Sequence, residues 1–309
     1  MIKHKQIGAA LLMAILIVAL VATTVVFMAG QQSLWTQQAG HLAARGQTAA
    51  LARAAIDWAR GVLAQDARDS KVDHPGEAWA QRLSALPLES GDLGGAITDQ
   101  QAQFNLNNLV RNGQDSEADI ALFKRLLTQL QLPPELAHSL LDWIDQDNAV
   151  HYPGGAEDSD YLLGDAPYRT ANRPLLSVEE LYRVRGFNRA IIERLAPFVT
   201  ALPERSAVNI NSAPREILSA LLPDLAETDI STVLENRKNA YFKSKQDFRA
   251  RLPKPSPALR DEHYDVASRY FLAAVRVRSS DVDSAYAALL VRPVAGGWPD
   301  IVWQRQLAE

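Results

Sequence analysis

Residues 8–30 read GAALLMAILIVALVATTVVFMAG, and the seven residues before them are Met1-Ile2-Lys3-His4-Lys5-Gln6-Ile7. From Gln6 to Gly40 no residue carries a formal charge. The most apolar part, Ala9 to Met28, has about the 20-residue length that crosses the hydrocarbon of a bilayer as a helix. A cleavable secretory signal has a shorter apolar core of ~7–15 residues and a small-residue exit. Val26-Phe27-Met28-Ala29-Gly30 matches that exit poorly. Lys3 and Lys5 hold the N-terminus on the cytoplasmic side, which leaves the rest of the chain on the other side of the membrane.

The helical pattern continues past the apolar run. Ser33 to Gln65 contains no proline, and Leu51, Ala55, Trp58 and Val62 recur at i, i+4, i+7 and i+11, one face of a helix. A helix from Ala9 to about Gln65 is on the order of 85 Å long at 1.5 Å per residue. Its first half belongs in lipid, and its second half is expected to pack on a globular head.

Beyond the breakers Asp73-His74-Pro75-Gly76, the pattern predicts a short amphipathic helix over Glu77–Leu86. A turn cluster is expected at Gly91–Gly95, then a hairpin over Ala96–Leu109 ending in Phe-Asn-Leu-Asn-Asn-Leu. Ser116 to Pro197 reads as helical, with stripes Ile120, Phe123, Leu126, Leu127, Leu130 and Leu136, Leu140, Leu141, Ile144. Ser177 with Glu180 three residues later is a capping box by sequence. Tyr270–Arg278 and Ala285–Arg292 read as strands joined through Ser279-Ser280-Asp281, with a third strand over Asp300–Gln306. The reading is an α+β fold: a long N-terminal helix on a small antiparallel sheet, interrupted by a large all-α insertion. The expected division is a leader at 1–8 and a transmembrane helix at 9–30. The head takes 31–110 and 205–309, and the inserted domain 111–204.

With 309 residues the chain has room for one large or two ordinary domains, and its formal charge of −4 argues against a general nucleic-acid binder. Zero cysteines excludes disulfides, thiolate metal sites and a cysteine nucleophile. The acids are unevenly placed. Between Arg125 and Arg169 there is no Lys or Arg, yet Glu135, Asp142, Asp145, Asp147, Glu157, Asp158, Asp160 and Asp165 all fall there. The tight part, residues 142–161, reads DWIDQDNAVHYPGGAEDSDY. Hard cations such as Ca²⁺ take six to eight oxygens in flexible geometry, so carboxylates, carbonyls and Asn148 around a Gly-Gly turn suit one. The EF-hand spacing is absent, and spacing alone leaves a cation site and a solvated acidic loop equally open. Nothing in the pattern separates one raised and one ordinary carboxyl, as a glycosidase requires. His138 and His151 are isolated and do not suggest zinc.

Two segments look like helix-hairpin-helix units. One is Leu181-Tyr-Arg-Val-Arg-Gly186-Phe187-Asn188 leading into a helix at Arg189–Leu195. The other begins Val208-Asn-Ile-Asn-Ser-Ala-Pro-Arg-Glu-Ile-Leu and resembles the repeats of DNA-uptake receptors, whose hairpins offer backbone N–H groups to a phosphate. Its hairpin position is Leu222-Pro223-Asp224-Leu225, with an acid and no glycine. The alternative reading, a membrane-tethered DNA-binding protein of competence type, is therefore opposed by charge.

A short basic leader ending in Gly8, directly before the apolar run, resembles the type IV prepilin class of signals. That resemblance implies cleavage by a prepilin peptidase between Gly8 and Ala9, N-methylation of Ala9, and retention of the apolar helix. Together with it, the DWIDQD…PGGAEDSDY block, the Asn172-Arg173-Pro174-Leu175…Glu179-Glu180-Leu181 block and VNINSAPREIL resemble the minor pseudopilin K family of bacterial type II secretion systems, over essentially the whole chain. The resemblance implies a non-enzymatic subunit at the tip of a short periplasmic pseudopilus, anchored once in the inner membrane. Its implied partners are other minor pseudopilins, the major pseudopilin and the prepilin peptidase, with exported proteins and the outer-membrane secretin as further contacts. It also implies calcium in the head, for which Asp145, Asp147, Glu157 and Asp158 are the candidate ligands. Most pilins carry a Glu at the fifth mature position, where this chain has Met13. A membrane carboxylate is costly unless paired, so a subunit with no neighbour above it has no use for one.

Overall fold

The computed structural model describes residues 5–88, 91–163, 166–279 and 282–307. Residues Met1–His4 of the leader, Asp165, and Ser280-Asp281 of the expected turn lie outside the described residues. A single helix, α1 (Lys5–Asp69), runs through the apolar segment and into the head without a break. Ala9 to Ala43 is exposed throughout, and side-chain burial begins at Ala44 and Thr48. The face that packs on the head is Ala52, Ile56, Ala59 and Leu63. Of the expected stripe, Leu51, Ala55 and Val62 are half-buried and pack on the flank of this face, and Trp58 turns away from it. Trp58 stays 58 % exposed, because Ala52 and Ala59 let the helix backbone approach the sheet where a Trp would hold it off.

That sheet has five strands in chain order, all antiparallel: β1 (Leu83–Leu88), β2 (Gly91–Asp99), β3 (Tyr270–Ser279), β4 (Asp283–Val291) and β5 (Asp300–Leu307). Its inner face supplies Leu93, Ile97, Phe271, Ala273, Val275, Val277, Tyr286, Ala288 and Leu290 to a core shared with α1. The last three strands fall where the alternation predicts. The first two do not. Glu77–Leu86 forms only a 3-10 turn at Ala78–Ala80 before entering β1, and Gly91–Gly95 is strand rather than turn. The glycines are needed for close approach: a Cβ on Gly91 would lie 1.8 Å from the Arg278 carbonyl oxygen, and one on Gly95 2.8 Å from that of Ala274. Of the expected hairpin over Ala96–Leu109, only Ala96–Asp99 is part of the sheet; the rest is mainly two 3-10 turns.

β2 and β3 are neighbours in the sheet, and everything between Asp99 and Tyr270 leaves and returns at that point. The insert contains α2 (Glu117–Gln129), α3 (Leu136–Ile144), α4 (Asp158–Tyr161), α5 (Arg189–Leu195), α6 (Arg215–Leu221), α7 (Glu227–Asn239) and α8 (Lys245–Ala250). One core joins Phe123 and Leu126 of α2 to Leu140 of α3, Ile217 and Leu221 of α6, and Tyr264. The expected boundary at residue 204 is therefore displaced: residues 208–266 share a core with the helical body, not with the sheet. Ser177 precedes a 3-10 helix (Val178–Arg183) without a side-chain cap, and Glu180 instead accepts from the Leu176 amide at 2.6 Å.

The asparagines of FNLNNL and VNIN act as substitutes for backbone pairing. Asn105 donates to the Glu204 carbonyl and accepts from the Leu202 amide, Asn107 bridges Leu175 and Leu202, and Asn108 exchanges both bonds with Ser206. Asn211 does the same with Phe242. Each satisfies main-chain groups that the irregular connections would otherwise bury unpaired.

Candidate metal centre

α3 ends at Asp145, whose amide donates to the Leu141 carbonyl at 2.9 Å while its own backbone turns extended. The chain then loops through Asp147, which accepts from the Ala149 amide at 2.7 Å, and returns past Gly154-Gly155 to Glu157, the residue before α4. This path brings one carboxylate oxygen each from Asp145, Asp147 and Glu157 within 4.8 Å of one another. Asp145 and Glu157 are each only 2 % exposed, and none of their four carboxylate oxygens has a hydrogen-bond partner. Burial pushes the Asp145 carboxyl up to about 7, reinforced by the charges of Asp147 and Asp142. Burial likewise pushes Glu157 up to about 7, reinforced by Asp145. Unpartnered buried carboxylates are costly, and an all-oxygen donor set of this charge fits a hard divalent cation rather than zinc or copper.

The neighbouring acid is settled differently. Asp142 is fully buried, and its Oδ1 lies 2.6 Å from Nδ1 of His151, whose Nε2 lies 2.9 Å from Asp115. Although burial opposes it, pairing with Asp142 and Asp115 pushes the His151 imidazole up, towards the charged form that clamps both carboxylates. Gly155 packs so closely that a Cβ would lie 2.3 Å from Asp142 Oδ2 and 2.3 Å from the His151 carbonyl. The sequence reading missed this clamp, since nothing in the spacing links Asp115 to the loop. Asn172 of the Asn172-Arg173-Pro174-Leu175 block is held at φ 45°, with its backbone amide donating to the Trp143 carbonyl and its buried Oδ1 unpartnered.

Three of the four expected ligands come together, and Asp158 does not. As the first residue of α4 it points away, with Oδ1 accepting from the amide and hydroxyl of Thr170 at 2.9 Å and Oδ2 3.4 Å from Arg169. Those Thr170 bonds hold its carboxyl below the usual range.

A second group of three carboxylates, Asp66, Asp73 and Glu77, also falls within 4.8 Å. Arg292 occupies it, pairing with Asp66 and lying 2.6 Å from Asp73. Asp73 Oδ2 also accepts from the Ser268 amide at 2.7 Å, and Asn209 donates to the Asp73 carbonyl, to Asp99 and to Ser268. This polar knot ties the end of α1 and the end of β4 to both ends of the insert.

The family model of type II secretion system protein K matches residues 102–204 and 208–267. The chain is 32 % identical over 304 residues to the type II secretion system protein K of Pseudomonas aeruginosa, covering 94 % of this chain and 90 % of that one. It is also 32 % identical to the protein of the same name from Aeromonas hydrophila, with 94 % of each chain covered. The chain belongs to the type II secretion system protein K family. Among solved structures it resembles a chain of the GspK–GspI–GspJ complex from the enterotoxigenic Escherichia coli Type 2 Secretion System. The TM-score is 0.72 at 25 % identity, covering 84 % of this chain and 95 % of that one.

Within this protein K fold the two helix-hairpin-helix look-alikes are absorbed into the insert. Gly186 turns at φ 84° with a Leu136 methyl 2.9 Å from where a Cβ would sit, so that hairpin is packed against α3. At the other, Asp224 accepts from the Ala258 amide at 3.1 Å and the Ser256 hydroxyl at 2.8 Å, bonds that hold its carboxyl below the usual range. The expected hairpin position thus carries a carboxylate held by its own loop, which is unfavourable to a phosphate. Ala9 and Met13 lie exposed on α1, Met13 at 66 %.

Proposed function

We propose that this protein is a minor pseudopilin that initiates or caps the type II secretion pseudopilus and so supports export of folded proteins across the outer membrane, a structural role rather than a catalytic one. The observation that carries the reading is the bare apolar length of α1 joined without a break to a head interrupted by residues 100–269. A helix of that kind has its ends in two environments, lipid before assembly and a bundle of neighbouring helices after it. The bulky insert suits an end position, where no subunit must stack above it, and Met13 leaves the helix without the carboxylate that would answer such a neighbour.

In this reading the chain is cut between Gly8 and Ala9 by the prepilin peptidase and methylated on Ala9. It spans the inner membrane once with a cytoplasmic N-terminus and carries its head in the periplasm. Its nearest partners are two other minor pseudopilins, as the composition of the similar solved complex suggests, with the major pseudopilin below. Calcium is the cation proposed for Asp145, Asp147 and Glu157. It would neutralise oxygens that have no internal partner and tie the end of α3 to the start of α4, stiffening the insert. N-terminal mass spectrometry of protein from cells with and without the peptidase tests the class. A mature chain starting at methylated Ala9 is expected, and an N-terminus unchanged between the two strains would rule it out.

A further inference from the structure

We infer that Trp35, not the end of the apolar run at Met28–Gly30, marks the level at which α1 leaves the membrane before assembly, so that residues 31–35 lie in the phospholipid headgroup layer and residues 36–43 form an exposed stalk. The inference deepens the proposed anchor and rests on it. A bilayer is about 30 Å of hydrocarbon within about 40–45 Å including headgroups. Once the chain begins at Ala9, its charged amine has to sit at the inner headgroup level. Trp35 is then about 39 Å along the helix at 1.5 Å per residue, about 37 Å at an average tilt of ~20°. That places its ring in the outer headgroup layer, where an indole with an apolar body and one N–H donor is favoured.

The side chains agree with this placement. Trp35 is 69 % exposed and shares a shallow surface groove with Phe27, Met28, Gln31 and Gln32 of the same helix. Between Met28 and His41 the polar residues are uncharged Gln, Ser and Thr, which hydrogen-bond to headgroups at far smaller cost than a charge. His41 and Arg45 are the first charged or titratable groups past the apolar run. Burial against the head begins at the half-buried Ala44 and is complete at Thr48, which is 1 % exposed and about 20 Å beyond Trp35. The head is thus held off the bilayer by a stalk with room for neighbouring helices.

The chain contains no cysteine, so single spin labels on Ala29→Cys, Gln32→Cys and Ala39→Cys can be placed on the full-length, peptidase-processed protein in phosphatidylethanolamine/phosphatidylglycerol vesicles. Collision with a water-soluble nickel chelate is then compared with collision with oxygen. The expected result is a label at 29 inside the hydrocarbon, one at 39 in water, and one at 32 several-fold less accessible to nickel than the one at 39. Adding Trp35→Ser should raise nickel access at 32, while Trp35→Tyr should leave it unchanged. Equal nickel access at 32 and 39, with 29 still protected, would overturn the placement while leaving the anchor intact. Equal access at all three would overturn the anchor itself and this placement with it.

Discussion

At the root of the insert, Asp66, Asp73 and Glu77 crowd three carboxylates together, and in the loop after α3, Asp145, Asp147 and Glu157 do the same. The first group holds its own cation. Arg292 pairs with two of the acids, its guanidinium lies 4.5 Å over the Phe271 ring, and Glu77 is used by the Trp79 indole and the His74 amide. Burial still pushes Asp66 up to about 6, but Arg292 pulls against it. Among the described residues no arginine is seen paired with the second group, and four of its buried oxygens are unpartnered. The difference separates two jobs that look alike in sequence. An internal cation makes a permanent joint between insert and head, whereas under the proposed calcium site the loop's rigidity would depend on an ion supplied from outside.

The largest effect is expected from breaking the self-neutralised group. Arg292→Ala leaves Asp66 and Asp73 buried without their partner and should cost about 3–5 kcal/mol in urea unfolding; a loss below about 1 kcal/mol would mean that the joint is not held by charge. Next comes the ion. If calcium is supplied at about a thousandfold over its Kd, chelation should remove on the order of 4 kcal/mol, read as a fall in thermal midpoint that added calcium reverses. Unchanged melting with EDTA would place both groups in the same class.

Asp145→Asn sharpens the contrast, because removing a charge should abolish the calcium response and yet stabilise the metal-free protein by about 1–2 kcal/mol through lost repulsion. The pH dependence follows from the raised carboxyls of Asp145 and Glu157. In the folded, metal-free state they hold protons up to about 7, while in the unfolded chain they release them near 4. Stability of the metal-free protein should therefore fall as pH rises from about 4 to 7. Stabilisation by calcium should grow over the same range, because binding displaces those protons. A calcium effect that is flat in pH would argue against these two ligands. The smallest effect should come from Asp158→Ala, which loses the Thr170 contacts but leaves calcium affinity at the wild-type value.

Long-range contacts separate what the sequence discloses from what it hides. The continuous helix was readable because an uncharged run and a proline-free run abut, and the last three strands because they alternate locally. β1 and β2 were hidden: Gly91–Gly95 has turn composition, and only the approach of Arg278 and Ala274 from β3 makes those glycines strand residues. The packing stripe on α1 is legible but its centre is not, because Trp58 lies outside the contact while the small Ala52 and Ala59 occupy its middle. Residues 208–266 were assigned to the head because nothing local says that α6 packs on α2. In the acidic loop, charge crowding marks a run of eight acids, and the family resemblance narrows the candidate ligands to Asp145, Asp147, Glu157 and Asp158. It could not separate Asp158 from Glu157, since adjacent residues at a helix start diverge by about 100°.

Calorimetric titration of calcium into the full-length protein and its Asp145→Asn variant, both with the Arg292 joint intact, tests the central claim most directly. Saturable calcium binding to the wild type and none to the variant is the predicted result. Absence of binding to the wild type, or equal binding to both, would contradict it.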